Sequence, residues 1–253
     1  MTHCGLLGLW ADEGTGYRGM VNGACSGIEV RGASKALRGK PILRDVNLVV
    51  PAGGLVALEG DNGVGKTTLI RMLSTVVTPD VGSVCVNGYN TVSQSLNARK
   101  SIGVSFANER SLYWRITGMQ NLELFGRMAG LPNRGLVTRS VEICESLRIG
   151  EVAFGRVSRM STGQRQRLMI ARALLADPPV LLFDEPFRGL DEDGLEAVIR
   201  IMEGQAESGK AVLVVAPIVE SLLHSASAAY RIWEGGICTY NAAQIDAAPE
   251  RIS

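Results

Sequence analysis

Leu55-Val56-Ala57-Leu58-Glu59 runs directly into Gly60-Asp61-Asn62-Gly63-Val64-Gly65-Lys66-Thr67. The first five residues are a short β-type run, and the next eight satisfy the phosphate-loop pattern G-x-x-x-x-G-K-[ST]. From Lys66 the apolar spacing predicts a helix over 66–77. The loop therefore follows a strand and opens a helix, the context in which this pattern has a mechanism. Glycines allow backbone N–H groups to curl around phosphate oxygens, and the helix N-terminus adds unsatisfied donors and partial positive charge. In this reading Lys66 reaches the β- and γ-phosphates of a bound nucleotide, and Thr67 offers its hydroxyl to Mg²⁺. Thr68, next in line, is counted with the phosphate-binding set of Gly60, Asp61, Asn62, Gly63, Val64, Gly65, Lys66 and Thr67. The bland alternative is a glycine-rich turn with an incidental lysine, and the strand-loop-helix context disfavours it.

Outward from the loop, residues 28–31 and 46–50 read as short strands, and 83–87 as a strand that Asn87-Gly88 turns. Between about 92 and 160 the β signal thins to 102–106, while helices are expected at 120–129 and 139–147. Beyond it come a helix over 163–176, a buried strand over 180–183, a helix over 193–207 and a second buried strand over 211–215. Continuous apolar strands between helices belong to parallel sheets covered on both faces. The expected fold is α/β: a phosphate-loop NTPase core with a mostly parallel sheet, an N-terminal antiparallel β portion and a helical insertion subdomain at about 92–162. Residues 1–27 hold seven glycines without helical or strand period and are expected to be a flexible tail, and 241–253 a C-terminal tail, leaving a domain over 28–240.

The 253 residues suffice for one sizeable core, and 46% apolar with 20% charged residues is a globular profile. The net charge of +1 offers no general attraction to nucleic acid, and no nucleic-acid partner is expected. The longest uncharged apolar run, 211–219, has nine residues, far short of the roughly 20 needed to span a bilayer. The start lacks the basic region of a signal peptide. Five scattered cysteines, Cys4, Cys25, Cys85, Cys144 and Cys238, form no C-x-x-C pair and are read as reduced thiols of a cytosolic protein.

At the end of the first of these buried strands, Val180-Leu181-Leu182-Phe183 is followed by Asp184-Glu185. Asp184 is the expected metal organiser, holding Mg²⁺ with Thr67. Glu185 is the expected general base, polarising the attacking water. Upstream, Ser161-Thr162-Gly163-Gln164 has the S-x-x-Q spacing of a capping box.

That stretch, with Met160 before it and Arg165-Gln166-Arg167-Leu168 after it, resembles the signature motif of ABC-type ATPases, usually L-S-G-G-Q. Met160 takes the Leu place and Thr162 the first Gly. The resemblance runs over about 28–240 in the family's order: phosphate loop, helical insertion, signature, acidic strand, then Gly189-Leu190-Asp191 where the family has its D-loop. The runs Pro79-Asp80-Val81-Gly82-Ser83-Val84 and Asn87-Gly88-Tyr89 also resemble the segment after the family's first helix. GTPases are disfavoured by the absence of N-K-x-D, and RecA-type motors by the signature. The resemblance implies a head-to-tail dimer in which each ATP lies between one phosphate loop and the partner's signature helix. Ser161, the Gly163 N–H and Gln164 would then bind the γ-phosphate held by the other cassette, with Asp191 at the seam. It also implies an ATP-hydrolysing subunit coupled to separate integral-membrane permease chains, in a homodimer or heterodimer. The expected place is the cytoplasm, peripheral on the inner face of the cell membrane.

The sequence departs from the family at several points. Pro217 stands where the family's switch histidine follows the last core strand, and proline offers neither side-chain donor nor N–H. His224, two helical turns or about 10 Å further on, does not obviously replace it. The loop after 102–106 lacks the family's glutamine, leaving Asn108 as nearest polar substitute. Leu37 stands where an aromatic usually stacks on adenine. The segment Ser111-Leu112-Tyr113-Trp114-Arg115-Ile116-Thr117 resembles a variant of export-type members, which makes Tyr113 and Trp114 either anchors for a permease or part of the helical core. Arg165 and Arg167 read as surface charges, Met169 and Met202 as core. The leading expectation is an export-type ATPase subunit. The alternatives are a hydrolysis-impaired subunit that is the structural or regulatory half of a heterodimer, motivated by Pro217, and a soluble ABC ATPase acting on DNA or ribosomes.

Overall fold

The computed structural model describes residues 26–106, 111–217 and 220–239; nearly all of the two expected tails lies outside them. The chain begins with an antiparallel hairpin, β1 (Gly27–Leu37) and β2 (Lys40–Pro51). Arg38 and Gly39 turn it with φ of 51° and 78° while Leu37 faces Lys40, a two-residue connection whose twist matches that of the strands. Both strands are much longer than the stretches 28–31 and 46–50 read from sequence. The pairing shifts register at three places between Val30 and Ala36, and each shift breaks the in-out alternation that marks a strand.

After β3 (Leu55–Glu59) and α1 (Lys66–Leu73), β4 (Val81–Val86) pairs with β1, and β5 (Tyr89–Asn90) folds back on β4. Asn87 and Gly88, both at positive φ, make the expected turn. This antiparallel sheet has the order β2-β1-β4-β5. The helix α1 stops at Leu73 rather than 77. Thr75 takes a left-handed φ of 64°, the Val76 N–H bonds to Arg71 O at 2.8 Å and the Thr75 N–H to Met72 O at 3.3 Å. That double bond pattern ends helices, and its usual marker, glycine, is absent here.

The second sheet collects β6 (Ile102–Ser105), β7 (Val180–Asp184), β8 (Ala211–Val215), β9 (Ala228–Trp233) and β10 (Gly236–Thr239) with β3. Its order is β10-β9-β3-β8-β7-β6, parallel throughout except for the β9-β10 hairpin. Alternate residues of its central strands go to opposite cores. Val56, Leu58, Leu182, Leu213 and Val215 meet Leu69, Ile70, Met72 and Leu73 of α1 and the antiparallel sheet. Leu55, Ala57, Leu181, Phe183, Val212 and Val214 meet the helices. Burial on both faces is why these strands read as unbroken apolar runs.

The helical part comprises α2 (Ser95–Lys100), α3 (Gly118–Met128) and α4 (Asn133–Ser146), then α5 (Thr162–Leu174) and α6 (Glu192–Glu207), and the short α7 (Glu220–Ser225). Leu122 of α3, Leu136 and Cys144 of α4, and Leu168 to Ala171, Ala173 and Leu174 of α5 share one cluster with the sheet. Thr117 and Gln120 cap α3 reciprocally. Burial pushes the Cys144 thiol up to about 11, so its sulfur serves as apolar packing. Among the described residues no helix is long and apolar enough to cross a membrane.

Candidate functional site

The phosphate loop sits at the junction of β3 and α1, as its motif requires. Gly65 is the residue on which the turn depends. It precedes α1 with a φ of 116°, and a Cβ there would lie 2.8 Å from Leu43 Cδ2, so only glycine fits both backbone and space. Asp61, Asn62 and Gly63 are exposed at the tip, Gly60 and Val64 half-buried, and Thr68 buried under the helix start. Lys66 is 6% exposed, and its Nζ donates to Gly60 O of its own loop at 2.5 Å. The ammonium is thereby folded over the backbone groups that the motif assigns to phosphate.

Thr67 Oγ1 donates to Asp184 Oδ2 at 3.1 Å across 117 residues of sequence. Parallel pairing of β7 and β3 with β8 between them sets this meeting, since both end at the same edge of the sheet. Asp184 is 2% exposed. Burial pushes its carboxyl above the ordinary 3.8, Thr67's hydrogen bond opposes that, the neighbouring Glu185 adds to it, and Lys66 and Arg71 pull it down. A hydroxyl beside a desolvated carboxylate is a pair of hard oxygen donors, which suits Mg²⁺.

Glu185 follows Asp184 with φ of 50°, a left-handed conformation that non-glycine residues adopt at a cost. Its N–H donates to Val215 O at 2.7 Å, and its carbonyl accepts from Gln166 Nε2 at 3.4 Å and from the Arg188 N–H at 3.5 Å.

The signature segment caps α5 as its spacing predicts. Ser161 Oγ accepts from the Gln164 N–H at 3.2 Å, and Gln164 Oε1 accepts from the Ser161 N–H at 2.9 Å. A Cβ on Gly163 would lie 2.3 Å from Gly189 O, so glycine here permits backbone contact between the signature helix and the 189–191 loop. Asp191 caps α6 by accepting from the Gly194 N–H at 3.0 Å.

Two expectations about this helix are corrected. Arg167 is no surface charge: it is 7% exposed, donates to Gly163 O, Leu147 O and Arg148 O at 3.3–3.4 Å and lies 3.9 Å from Asp191. Arg165 is half-buried, donates to Met160 O and to Thr162 Oγ1, and stacks its guanidinium 5.0 Å from the Trp114 ring centroid. The signal that could have found Arg167, and Gln166 beside it, is helical spacing: 163, 166, 167, 170 and 174 recur on one face, and all five are buried. Met169 and Met202 are fully buried, as expected.

Tyr113 and Trp114 are 53% and 43% exposed. Tyr113 lies tilted on Phe125 with centroids 6.0 Å apart, and Asn121 holds its N–H and C=O. They are surface residues fastened to the helical part. Pro217 is exposed just past β8, and His224 is exposed in the last turn of α7 (Glu220–Ser225). Leu37 lies at the end of β1, 38% exposed. Asn108 lies outside the described residues.

The chain is similar to known proteins. The ABC transporter family matches residues 43–188, which hold the phosphate loop, the signature and the acidic strand end. The chain is 34% identical over 198 residues to the ABC transporter ATP-binding protein NatA of Bacillus subtilis, covering 75% of this chain and 80% of that one. It is 36% identical to the daunorubicin resistance ATP-binding protein DrrA3 of Streptomyces coeruleorubidus and 33% to the Nod factor export ATP-binding protein I of Rhizobium johnstonii, spanning 62% of each relative's length and 78% and 76% of its own. Among solved structures, an ATP-binding subunit of an ABC transporter superposes with a TM-score of 0.78 at 26% identity over 85% of this chain and 90% of that one. The dimeric cassette MJ0796 superposes with 0.75 at 25% over 83% and 96%. With the family match extending over more than half of its residues and relatives above 30% identity aligned to three quarters of it, the chain belongs to the ATP-binding subunits of ABC transporters.

Proposed function

We propose that this chain binds and hydrolyses ATP with Mg²⁺ and couples the cycle to a separate membrane permease, for export. The observation that carries the reading is the meeting of Lys66, Thr67 and Asp184 at the end of β3 and β7. The backbone N–H groups of residues 60–68 would take the phosphates, and Lys66 would exchange Gly60 O for the β- and γ-phosphate oxygens. Thr67 and Asp184 would hold Mg²⁺, which when bound offsets charge on the β- and γ-phosphates. Glu185 would accept a proton from the water that attacks the γ-phosphorus as the bond to the β-phosphate oxygen breaks. Ser161, the Gly163 N–H and Gln164 would complete the site of a second cassette, with Asp191 at the seam. A dimeric neighbour supports that assembly, whether homo- or heteromeric. The relatives named for drug resistance and Nod factor export support the direction of transport, and a permease would hold the chain at the cytoplasmic face of the membrane.

Sedimentation velocity of Glu185→Gln tests the assembly. With ATP the variant is expected to shift from monomer to dimer, and adding Ser161→Arg should abolish the shift. A Glu185→Gln chain that binds ATP and stays monomeric at all concentrations contradicts a homodimer and directs the search to a different partner cassette.

A second reading is favoured by Pro217, which brings no hydrogen-bond donor to the end of β8. Loss of one preorganised contact to the transition state costs about 10²- to 10³-fold in rate. Under this reading the chain is a nucleotide-binding half with weak turnover, paired with a fully active cassette.

A further inference from the structure

We propose that Gln166 is the positioning residue for Glu185, holding its peptide in the left-handed conformation from which the carboxylate departs. The proposal deepens the reading above, since it takes Glu185 as the general base. Gln166 stands on the second turn of α5, 1% exposed, where an apolar side chain would be the ordinary filling. A buried amide persists only with partners, and its Nε2 contacts the Glu185 carbonyl at 3.4 Å. On the other side of the same residue, the Glu185 N–H is held by Val215 O at 2.7 Å. Glu185 is therefore pinned through both of its backbone groups, by β8 at its N–H and by α5 at its carbonyl, at a φ of 50°. Residues kept in such a conformation stay there only where their surroundings over-determine it.

The link has a consequence for two sites at once. Ser161 and Gln164 cap the N-terminus of α5, the end that faces a second cassette in the proposed dimer. Gln166 follows Ser161 by five residues, about 7.5 Å of helix rise. A displacement of α5 on meeting the partner's nucleotide is passed to the Glu185 carbonyl of the same chain, so closure over one site sets the base of the other.

The test uses the full chain with Gln166→Met, close in volume but without an amide, and Gln166→Asn, which keeps the amide one methylene short. For each, kcat is expected to fall about 10- to 100-fold, as a displaced reacting group does, with KM and ATP affinity within about twofold and Tm within a few degrees. In a Glu185→Gln background the same substitution should cost little more, because the two act as a unit. Hydrogen exchange at the Glu185 amide should quicken about tenfold without loss of global protection. Unchanged kcat, a loss that adds in full to that of Glu185→Gln, a rise confined to KM, or unchanged exchange at Glu185 would overturn the proposal. If the unmodified chain shows no Glu185-dependent turnover, the hydrolysis reading fails and exchange alone decides: faster exchange at Glu185 upholds the role of Gln166, and unchanged exchange rejects it.

Discussion

Asp184 carries a cost that the fold accepts for the sake of its site. Its carboxyl is raised by burial, so the folded state binds a proton more readily than the unfolded one. The penalty is therefore present near neutral pH and is relieved as pH falls through the window between the raised folded value and the ordinary 3.8. Asp184→Asn should raise the Tm of the nucleotide-free protein at pH 7, with the gain shrinking as the pH is lowered, while Mg²⁺-dependent hydrolysis drops by about 10²-fold or more. Thermal melts across pH, paired with turnover, check both halves, and a lower Tm at pH 7 would contradict the assignment. Gly163 makes a steric counterpart. Gly163→Ala places a methyl 2.3 Å from Gly189 O, and overpacking of this kind costs about 1–3 kcal/mol. A fall in Tm of roughly 3–10 °C is the expected reading. At this scale the loop and the acidic pair were legible because phosphate and metal chemistry demand particular residue types at particular spacings. The need for glycine at 163 was not, because it comes from a backbone 26 residues away in sequence that only the fold brings near.

Among the elements, α5 is the junction. Its cap faces outward, Gln166 reaches β7's exit, and Arg167 ties Gly163 O to Leu147 O and Arg148 O at the end of the helical insertion. Arg148 continues the tie to Asp193 and Glu196 of α6 at 3.4 and 3.9 Å, though such exposed pairs contribute little. Arg167→Met leaves buried carbonyls unpaired and should cost about 1–3 kcal/mol of unfolding free energy, read from the shift of the denaturant midpoint. A change within about 0.5 kcal/mol, as expected for a surface charge, would show that the guanidinium is not held where the structure has it. The charge of Arg167 suggests a surface place, whereas its position in the 163, 166, 167, 170 spacing points inward. The strands of the parallel sheet were legible as apolar runs. The long β1-β2 hairpin was not, because bulges at 30–36 scramble its alternation, and the end of α1 was not, because Thr75 fills a place that glycine usually marks.

For the molecule as a whole, two sheets with α1 between them and a helical layer on the far face bring the phosphate loop and Asp184 to one edge. The signature, on α5, presents a capped and exposed Ser161. The fold class was legible from the alternation of strands and helices, since that alternation is what a covered parallel sheet requires. What Pro217 does to turnover is not legible, because a missing donor reads the same in a weakened motor and in one whose transition state is served by other groups. The measurement that bears most directly on the account is Mg²⁺-dependent ATP hydrolysis by the purified chain across a range of protein concentrations, beside Lys66→Ala and Glu185→Gln. Turnover per chain should rise with concentration as dimers form and vanish in both variants. ATP bound through Lys66 with no turnover above that of Glu185→Gln at any concentration would contradict the motor and leave the chain as the nucleotide-binding half of a mixed pair.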